Sequence, residues 1–361
     1  MIKVLVVDDS ALMRKLLGRL FAAEDDFEVE VARDGVEALE RLKTFRPDVI
    51  TLDIHMPHMD GLACLDRIMI ERPSPVVMVS SQTAEGAEAT LEALRLGAVD
   101  FIAKPGGAVS LRLDELAPQL VAKVRAAAGA KLRSSLRLKE RVRHRIGADA
   151  APARRSGVEW APVTRASLRG ETGEGLVLVG VSTGGPPALE VLLTALPADF
   201  PWPILVAQHM PASFTGPLAQ RLDRICAMTV TEVLRPTLLQ PGCIYIGRGD
   251  ADLIVSRRPA GLTAVAAPPL NYPWHPSADR LVSTAMEQVA ASQIIGVLMT
   301  GMGDDGAAAM TRLHAMGGRT IAEAAETAVV WGMPGELVKA GGADAVLPVH
   351  GIADRLLKLV R

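Results

Sequence analysis

Leu176-Val-Leu-Val-Gly-Val-Ser182-Thr-Gly-Gly-Pro-Pro187 is an apolar run of strand length that breaks at a glycine turn and leads into the helical stretch Ala188–Leu196. A strand feeding a helix in this way is the repeating unit of an α/β sheet. A serine at such a turn has its hydroxyl at the carboxyl edge of the sheet, close to backbone N–H groups and to the positive end of the helix dipole. That is how a nucleophile for acyl transfer is presented. Gly180-Val-Ser182-Thr-Gly184 also satisfies G-x-S-x-G, but so short a pattern arises often by chance. A phosphate-cradling or merely structural glycine turn is the competing reading, and the segment alone does not choose.

The chain of 361 residues has room for two domains, each with its own core. Hydrophobic residues make up 49% and aromatics only 3%, so the interior is built from Ala, Val, Leu and Ile, which suits parallel sheets. No apolar run reaches the roughly 18–20 residues that span a bilayer. Met1-Ile-Lys-Val-Leu-Val-Val-Asp8 enters a strand at once and does not read as a signal peptide. Cys64, Cys226 and Cys243 lie far apart without metal-ligand spacing, as reduced thiols of a cytoplasmic protein would.

The net charge of −2 hides an asymmetry, because residues 121–170 hold 13 Lys and Arg against 3 Asp and Glu. Such a stretch could bind nucleic acid or an acidic partner. It lacks interleaved aromatics, and no DNA-binding motif follows it, so a solvated helix end and linker is the better reading. We expect neither a nucleic-acid partner nor membrane insertion, and a monomer.

Short Val/Ile/Leu-rich runs at Lys3–Val7, Glu28–Ala32, Asp48–Leu52, Val76–Val79 and Asp100–Ala103 alternate with amphipathic stretches. This pattern predicts a parallel sheet with helices on both faces. A basic helix is expected over 121–145, then a linker over Gly147–Gly175, rich in Pro, Gly, Ala, Ser and Thr. The alternation resumes with strands expected at Leu176–Val181, Ile204–Gln208, Met228–Glu232, Cys243–Ile246, Leu253–Val255, Ile294–Met299, Arg319–Ala322 and Ala345–Pro348. The fold class is therefore α/β: two doubly wound parallel-sheet domains over 1–121 and 175–361, joined by 122–174.

In the first domain Asp8 and Asp9 end the first strand and Asp53 the third, while Ser80 and Lys104 end the fourth and fifth. The carboxyl ends of the strands form the ligand crevice of a doubly wound sheet, so these side chains meet there. Crowded carboxylates repel unless a hard cation neutralises them, and Mg²⁺ takes such oxygen ligands. One carboxylate can then attack a phosphoryl donor to give an aspartyl phosphate. Lys104 can pair with that phosphate and Ser80 can hydrogen-bond one of its oxygens. Over about residues 2–121 the chain resembles a response-regulator receiver domain. The resemblance implies phosphorylation at Asp53, with Mg²⁺ held by Asp8, Asp9, Asp53 and the backbone carbonyl of His55. It also implies that Ser80 and the repacking aromatic Phe101 report the phosphate to an effector surface.

In the second domain a serine nucleophile needs a base, and the base needs an orienting carboxylate. Of seven histidines, His55 and His58 lie in the receiver loop and His144 in the basic segment. That leaves four, His209, His275, His314 and His350, of which His275 falls in a Pro-rich loop and His314 in a predicted helix. His209 is favoured because Pro203-Ile-Leu-Val-Ala-Gln-His209 ends a strand, as Ser182 does. The strand Ile294–Met299 ends in Thr300-Gly-Met-Gly-Asp304-Asp305-Gly306, which supplies a carboxylate at the same sheet edge. A phosphate or metal loop is the alternative there, and sequence logic leaves Asp304 and Asp305 both open. The order Ser…His…Asp differs from the Ser…Asp/Glu…His of α/β-hydrolases, so the G-x-S-x-G match does not indicate that fold.

A receiver joined to a domain with Ser-Thr-Gly-Gly, Gln-His-Met-Pro and Gly-Met-Gly-Asp-Asp-Gly resembles the chemotaxis protein-glutamate methylesterase family, CheB. The resemblance spans all but the linker and implies a flavodoxin-like receiver plus a Rossmann-like methylesterase domain. It implies Ser182 as nucleophile, His209 as general base and Asp305 as the orienting carboxylate. It also implies the Met302 backbone N–H as oxyanion donor, helped by the turn at Thr183. The reaction implied is hydrolysis of glutamate γ-methyl esters on methyl-accepting chemotaxis receptors and deamidation of particular receptor glutamines, without a cofactor for the esterase step. A chemotaxis histidine kinase would be the phosphodonor, and the unphosphorylated receiver would cover the esterase site. Gly247–Asp250, Asn271-Tyr-Pro-Trp274 and Glu323-Ala-Ala-Glu326 depart from the loops usual in relatives, and they bear on receptor preference.

A non-catalytic signalling module, a DNA-binding regulator and a lipase-like hydrolase are the competing readings. The three intact motifs, the α/β pattern after Leu176 and the triad order count against them in turn.

Overall fold

The computed structural model describes residues 1–81, 83–104, 109–130, 132 and 175–360. The first sheet is built from β1 (Ile2–Val7), β2 (Phe27–Ala32), β3 (Val49–Asp53), β4 (Val76–Ser80) and β5 (Asp100–Ala103). Its order is β2-β1-β3-β4-β5, all parallel. Strands β3 and β4 are buried throughout, which is why their sequences run apolar without alternation.

Helices α1 (Ala11–Ala22), α2 (Gly35–Thr44), α3 (Gly61–Glu71) and α4 (Ala84–Leu96) each start at a side-chain cap, from Ser10, Asp34, Asp60 and Thr83. Met13, Leu17 and Phe21 of α1 pack with Val4 and Val6 on one face of the sheet, while α2, α3 and α4 cover the other. Helix α5 (Val109–Ala128) joins α1, and Val121, Val124 and Ala127 bury in that layer. That burial accounts for the helix expected from 121 onward as far as Ala128. It ends at Ala128, before Gly129. The rest of the basic segment, His144 and the linker up to 174 lie outside the described residues.

The second sheet holds β6 (Leu176–Val181), β7 (Ile204–Gln208), β8 (Thr229–Val233), β10 (Cys243–Gly247), β13 (Ile294–Leu298), β14 (Arg319–Glu323) and β15 (Ala345–Leu347). Its order is β15-β14-β13-β6-β7-β10-β8, again parallel. The chain winds outward in both directions from β6, so the crevice at the carboxyl ends of β6, β7 and β13 is the topological switch point. Helices α6 (Gly185–Thr194), α7 (Ala212–Ile225) and α11 (Val349–Leu359) pack on one face. Helices α8 (Ala278–Gln288), α9 (Ala307–Ala315) and α10 (Met333–Lys339) pack on the other.

The strand expected at Leu253–Val255 belongs to a second, antiparallel sheet whose other two strands the sequence pattern did not indicate. Strands β9 (Thr237–Leu238), β11 (Asp252–Arg258) and β12 (Gly261–Ala267) form an antiparallel sheet beside the parallel one. Gly261-Leu-Thr-Ala-Val-Ala-Ala267 has only two β-branched residues, so its strand character comes from pairing with β11 rather than from propensity. Among the described residues no helix is long and apolar enough to cross a membrane.

Candidate active site

Sheet register brings the second-domain residues level. Strand β6 pairs with β7 up to Val181–Gln208, and with β13 up to Gly180–Leu298. Two backbone bonds extend those ladders past the strand ends: His209 N–H donates to Val181 O at 3.0 Å and Ser182 N–H to Thr300 O at 2.9 Å. Ser182, His209 and the Thr300 turn therefore occupy one row.

The turn after β6 is fixed from three sides. Gly185 N–H donates to Ser182 O at 2.8 Å, Gln208 Nε2 to the same oxygen at 3.0 Å, and Thr300 Oγ1 to Thr183 O at 2.8 Å. Gly184 caps α6 at φ +75°, a left-handed conformation that costs glycine little. Gly301 lets the second turn close on the first, since a Cβ there would stand 2.7 Å from Ser182 Cβ.

His209 Nε2 lies 2.7 Å from Asp305 Oδ2, with side chains only 4% and 6% exposed. Nδ1 is buried without a hydrogen-bond partner among the described residues. Donation from Nε2–H to the carboxylate leaves the lone pair on Nδ1. Asp305 also accepts Ser277 Oγ at 2.9 Å, Ala278 N–H at 2.7 Å and Asp279 N–H at 3.1 Å, all at the start of α8. Burial alone would raise the Asp305 carboxyl. The hydrogen bond from His209, with those of the Ala278 and Asp279 amides, outweighs it and holds the group below the ordinary carboxylate range. Asp304, by contrast, is exposed. The Met302 and Thr183 backbone N–H groups have no acceptor among the described residues.

In the first domain Asp8, Asp9 and Asp53 bring one carboxylate oxygen each to within 4.8 Å of one another. Such an all-oxygen set suits a hard divalent cation. Lys104 Nζ stands 2.8 Å from Asp53 and 3.0 Å from Asp8. Burial pushes the Asp53 carboxyl up, Lys104 offsets part of the rise, and the Asp8 charge adds to it. The His55 backbone N–H bonds the Asp53 carboxylate, while the His55 side chain is exposed. Ser80 Oγ donates to Gly86 O at 3.1 Å.

The domains meet at the turn that carries Ser182. Thr183 Oγ1 donates to Asp100 Oδ2 at 2.6 Å, and Lys123 Nζ lies 3.1 Å from the other Asp100 oxygen. Phe101 packs on Phe214 of α7 with ring centroids 4.4 Å apart, and Arg221 of α7 lies 3.7 Å from Glu92 of α4. Val329 packs against the α1–α5 layer of the first domain. Sequence reading had not singled out Asp100, Phe214 or Ser277. The first two face a partner surface that only the assembled fold creates. Ser277 carried a weak signal as a serine ahead of an amphipathic helix, and it is the N-cap of α8.

A family described as CheB methylesterase matches residues 177–356, and one described as response regulator receiver domain matches 4–113. A protein-glutamate methylesterase/protein-glutamine glutaminase of Rhodopseudomonas palustris is 58% identical over 359 residues, covering 99% of this chain and 98% of its own. One from Rhodospirillum rubrum is 52% identical over 358 residues, covering 99% and 95%. The crystal structure of the Thermotoga maritima CheB methylesterase catalytic domain is similar, with a TM-score of 0.50 and 38% identity. It covers 51% of this chain and 98% of that one.

Proposed function

The chain belongs to the CheB methylesterase family, and from that premise we propose how its residues carry the reaction. It is a protein-glutamate methylesterase and protein-glutamine glutaminase, activated by phosphorylation of its receiver domain. The observation that carries the residue assignment is the 2.7 Å bond from His209 Nε2 to the buried Asp305, which leaves Nδ1 unpartnered on a residue whose backbone lies in the same row as Ser182.

Ser182 Oγ attacks the γ-carboxyl carbon of a glutamate methyl ester while His209 Nδ1 takes the hydroxyl proton. Asp305 holds the ring and stabilises the imidazolium. The Met302 N–H, with that of Thr183, receives the oxyanion, and one such donor contributes roughly 3–4 kcal/mol in acyl transfer. Collapse breaks the carbon–methoxy bond, the Nδ1 proton leaves with methanol, and water then hydrolyses the acyl-enzyme by the same steps. A glutamine side chain follows the same route and releases ammonia.

In the receiver, Asp53 is the phosphoryl acceptor, and Asp8, Asp9, Asp53 and the His55 carbonyl would hold Mg²⁺, which would offset charge on the transferring phosphoryl group. Lys104 would release Asp8 and pair with the phosphate, and Ser80 would rotate from Gly86 to meet it. The unphosphorylated receiver holds Thr183 through Asp100 and Phe214 through Phe101. Repacking of Phe101 on phosphorylation loosens both contacts. The substrates are methyl-accepting chemotaxis receptors, the phosphodonor is a chemotaxis histidine kinase, and the site of action is the cytoplasm. The organisation is a receiver over 1–121, a linker over 122–174 and a catalytic domain over 175–361, as a monomer.

Ser182→Ala is expected to abolish methanol release from methylated receptor fragments while phosphorylation of Asp53 proceeds. Normal release from that variant would refute the nucleophile.

A further inference from the structure

The indole of Trp274 lies almost parallel to the His209 imidazole, with ring centroids 5.9 Å apart and planes 12° from parallel. Its Nε1 edge reaches the oxyanion turn, because a Cβ on Gly303 would stand 3.6 Å from that nitrogen. One half-exposed side chain thus reaches from the general base to the Met302–Gly303 turn.

The loop that carries it is anchored. Asp252, wholly buried at the start of β11, accepts His275 Nδ1 at 2.8 Å, Ser277 N–H at 2.9 Å, Leu270 N–H at 3.2 Å and an Arg280 guanidinium nitrogen at 2.6 Å. The same Arg280 nitrogen donates to Pro268 O at 2.6 Å, closing the loop at its other end. Through Ser277 this anchor continues to Asp305. Trp274 is therefore held in register with His209 and the Met302–Gly303 turn.

Resting on the roles given above to Ser182 and His209, we propose that Trp274 is a specificity-determining residue that favours a methyl ester over a primary amide as the group expelled. His209 Nδ1 takes the proton from Ser182 and must return it to the departing atom. The leaving group therefore sits along the imidazole edge, and the indole, parallel to that ring and displaced from it with centroids 5.9 Å apart, flanks this position. A methoxy group brings one oxygen to receive the proton and a methyl that gains from apolar cover. A carboxamide brings two N–H donors, and an indole offers a donor of its own but no acceptor. The face of the indole takes the place of water on one side of the departing group, and an amide N–H that loses a water there gains no acceptor in return, so the wall penalises the amide. In both reactions the Ser182 Oγ–carbon bond forms first. The ester then loses its C–OCH₃ bond and methanol departs, whereas the amide loses its C–N bond and ammonia departs. Water afterwards cleaves the acyl-enzyme, giving glutamate and free Ser182.

The test uses the full chain with acetyl phosphate, on receptor cytoplasmic fragments carrying either methyl-glutamate or glutamine, and reads methanol and ammonia release as kcat/KM. Trp274→Gln, which supplies an acceptor, is expected to lower the ester-to-amide ratio by about tenfold, the effect of one hydrogen bond on an otherwise unpaired group. Trp274→Leu and Trp274→Phe keep an apolar wall and are expected to hold the ratio within about threefold. A ratio of two activities from one sample is insensitive to the fraction folded. The proposal falls if Trp274→Gln lowers both activities by the same factor, or if Trp274→Leu moves the ratio as far as Trp274→Gln. Activity retained by Ser182→Ala would instead overturn the nucleophile on which the proposal rests.

Discussion

Asp53 and Asp305 are both buried carboxylates at the carboxyl edge of a parallel sheet, yet their surroundings push them in opposite directions. Asp53 shares its one lysine with Asp8, and burial keeps its carboxyl above the ordinary range. Asp305 receives the start of α8 and the His209 ring, and burial loses to them. The difference follows from the work proposed for each. A phosphoryl acceptor must change its charge, so its setting is left electrostatically unfinished until a cation or a phosphate arrives. An orienting carboxylate must never change, so it is satisfied in advance by fixed backbone donors and a helix dipole.

The largest effect that could break this contrast is catalytic. Asp305→Asn is expected to lower methanol release about 10⁴-fold, as losing the correct imidazole tautomer does in such triads. Asp304→Asn should change it little, since that side chain is exposed. The reverse ranking would show the wrong carboxylate had been chosen. Next comes the link between the two sites. Asp100→Ala removes a buried charge-assisted bond to Thr183 and should raise basal methanol release roughly tenfold. Asp53→Asn should keep basal release but lose all stimulation by acetyl phosphate. Stimulation that survives in Asp53→Asn would refute control by the receiver.

A smaller effect sharpens the account of Asp305. Ser277→Ala deletes one of its donors and should lower kcat by roughly threefold to tenfold while KM stays put. An unchanged kcat would leave the α8 backbone amides as sufficient support.

The smallest effect is on stability, and its sign differs between the two aspartates. The folded value for Asp305 lies below the unfolded one of about 3.9. Its contribution is therefore full above about pH 4 and is lost as pH falls through the folded value. Asp53 lies above its unfolded value, so its contribution is present at low pH and lost as pH rises through the folded value. Without divalent cations at neutral pH, Asp53→Asn should raise the melting temperature and Asp305→Asn should lower it, each by about 2–4 °C per kcal/mol. Shifts of the same sign in thermal melts would end the contrast.

Much of this was legible in the sequence, because a parallel strand buried on both faces needs a continuous apolar run, and its end marks the crevice. That logic places Asp8, Asp53, Ser182 and His209 on strand ends. It could not separate Asp304 from Asp305, because adjacent turn residues differ only in which way they face, and burial of Asp305 supplies that. It missed β9 and β12, whose pairing is non-local and whose residues are small. Trp274 stood out only as part of an unusual loop. Its position depends on Asp252 and Arg280, which sequence separates from it and the fold brings beneath it.

The apolar core does not stop at the domain boundary. Buried side chains of the receiver and of the esterase form one contiguous cluster, with Phe101 and Phe214 at the seam. Apolar adhesion weakens on cooling, whereas the phosphate proposed for Asp53 would act through charge. The seam therefore makes the inhibited state a thermometer. As the cell cools, the receiver's grip on the esterase should slacken, and the ratio of phosphate-stimulated to basal methanol release should narrow. A ratio that widened on cooling would mean that polar contacts, Asp100 to Thr183 above all, do the holding.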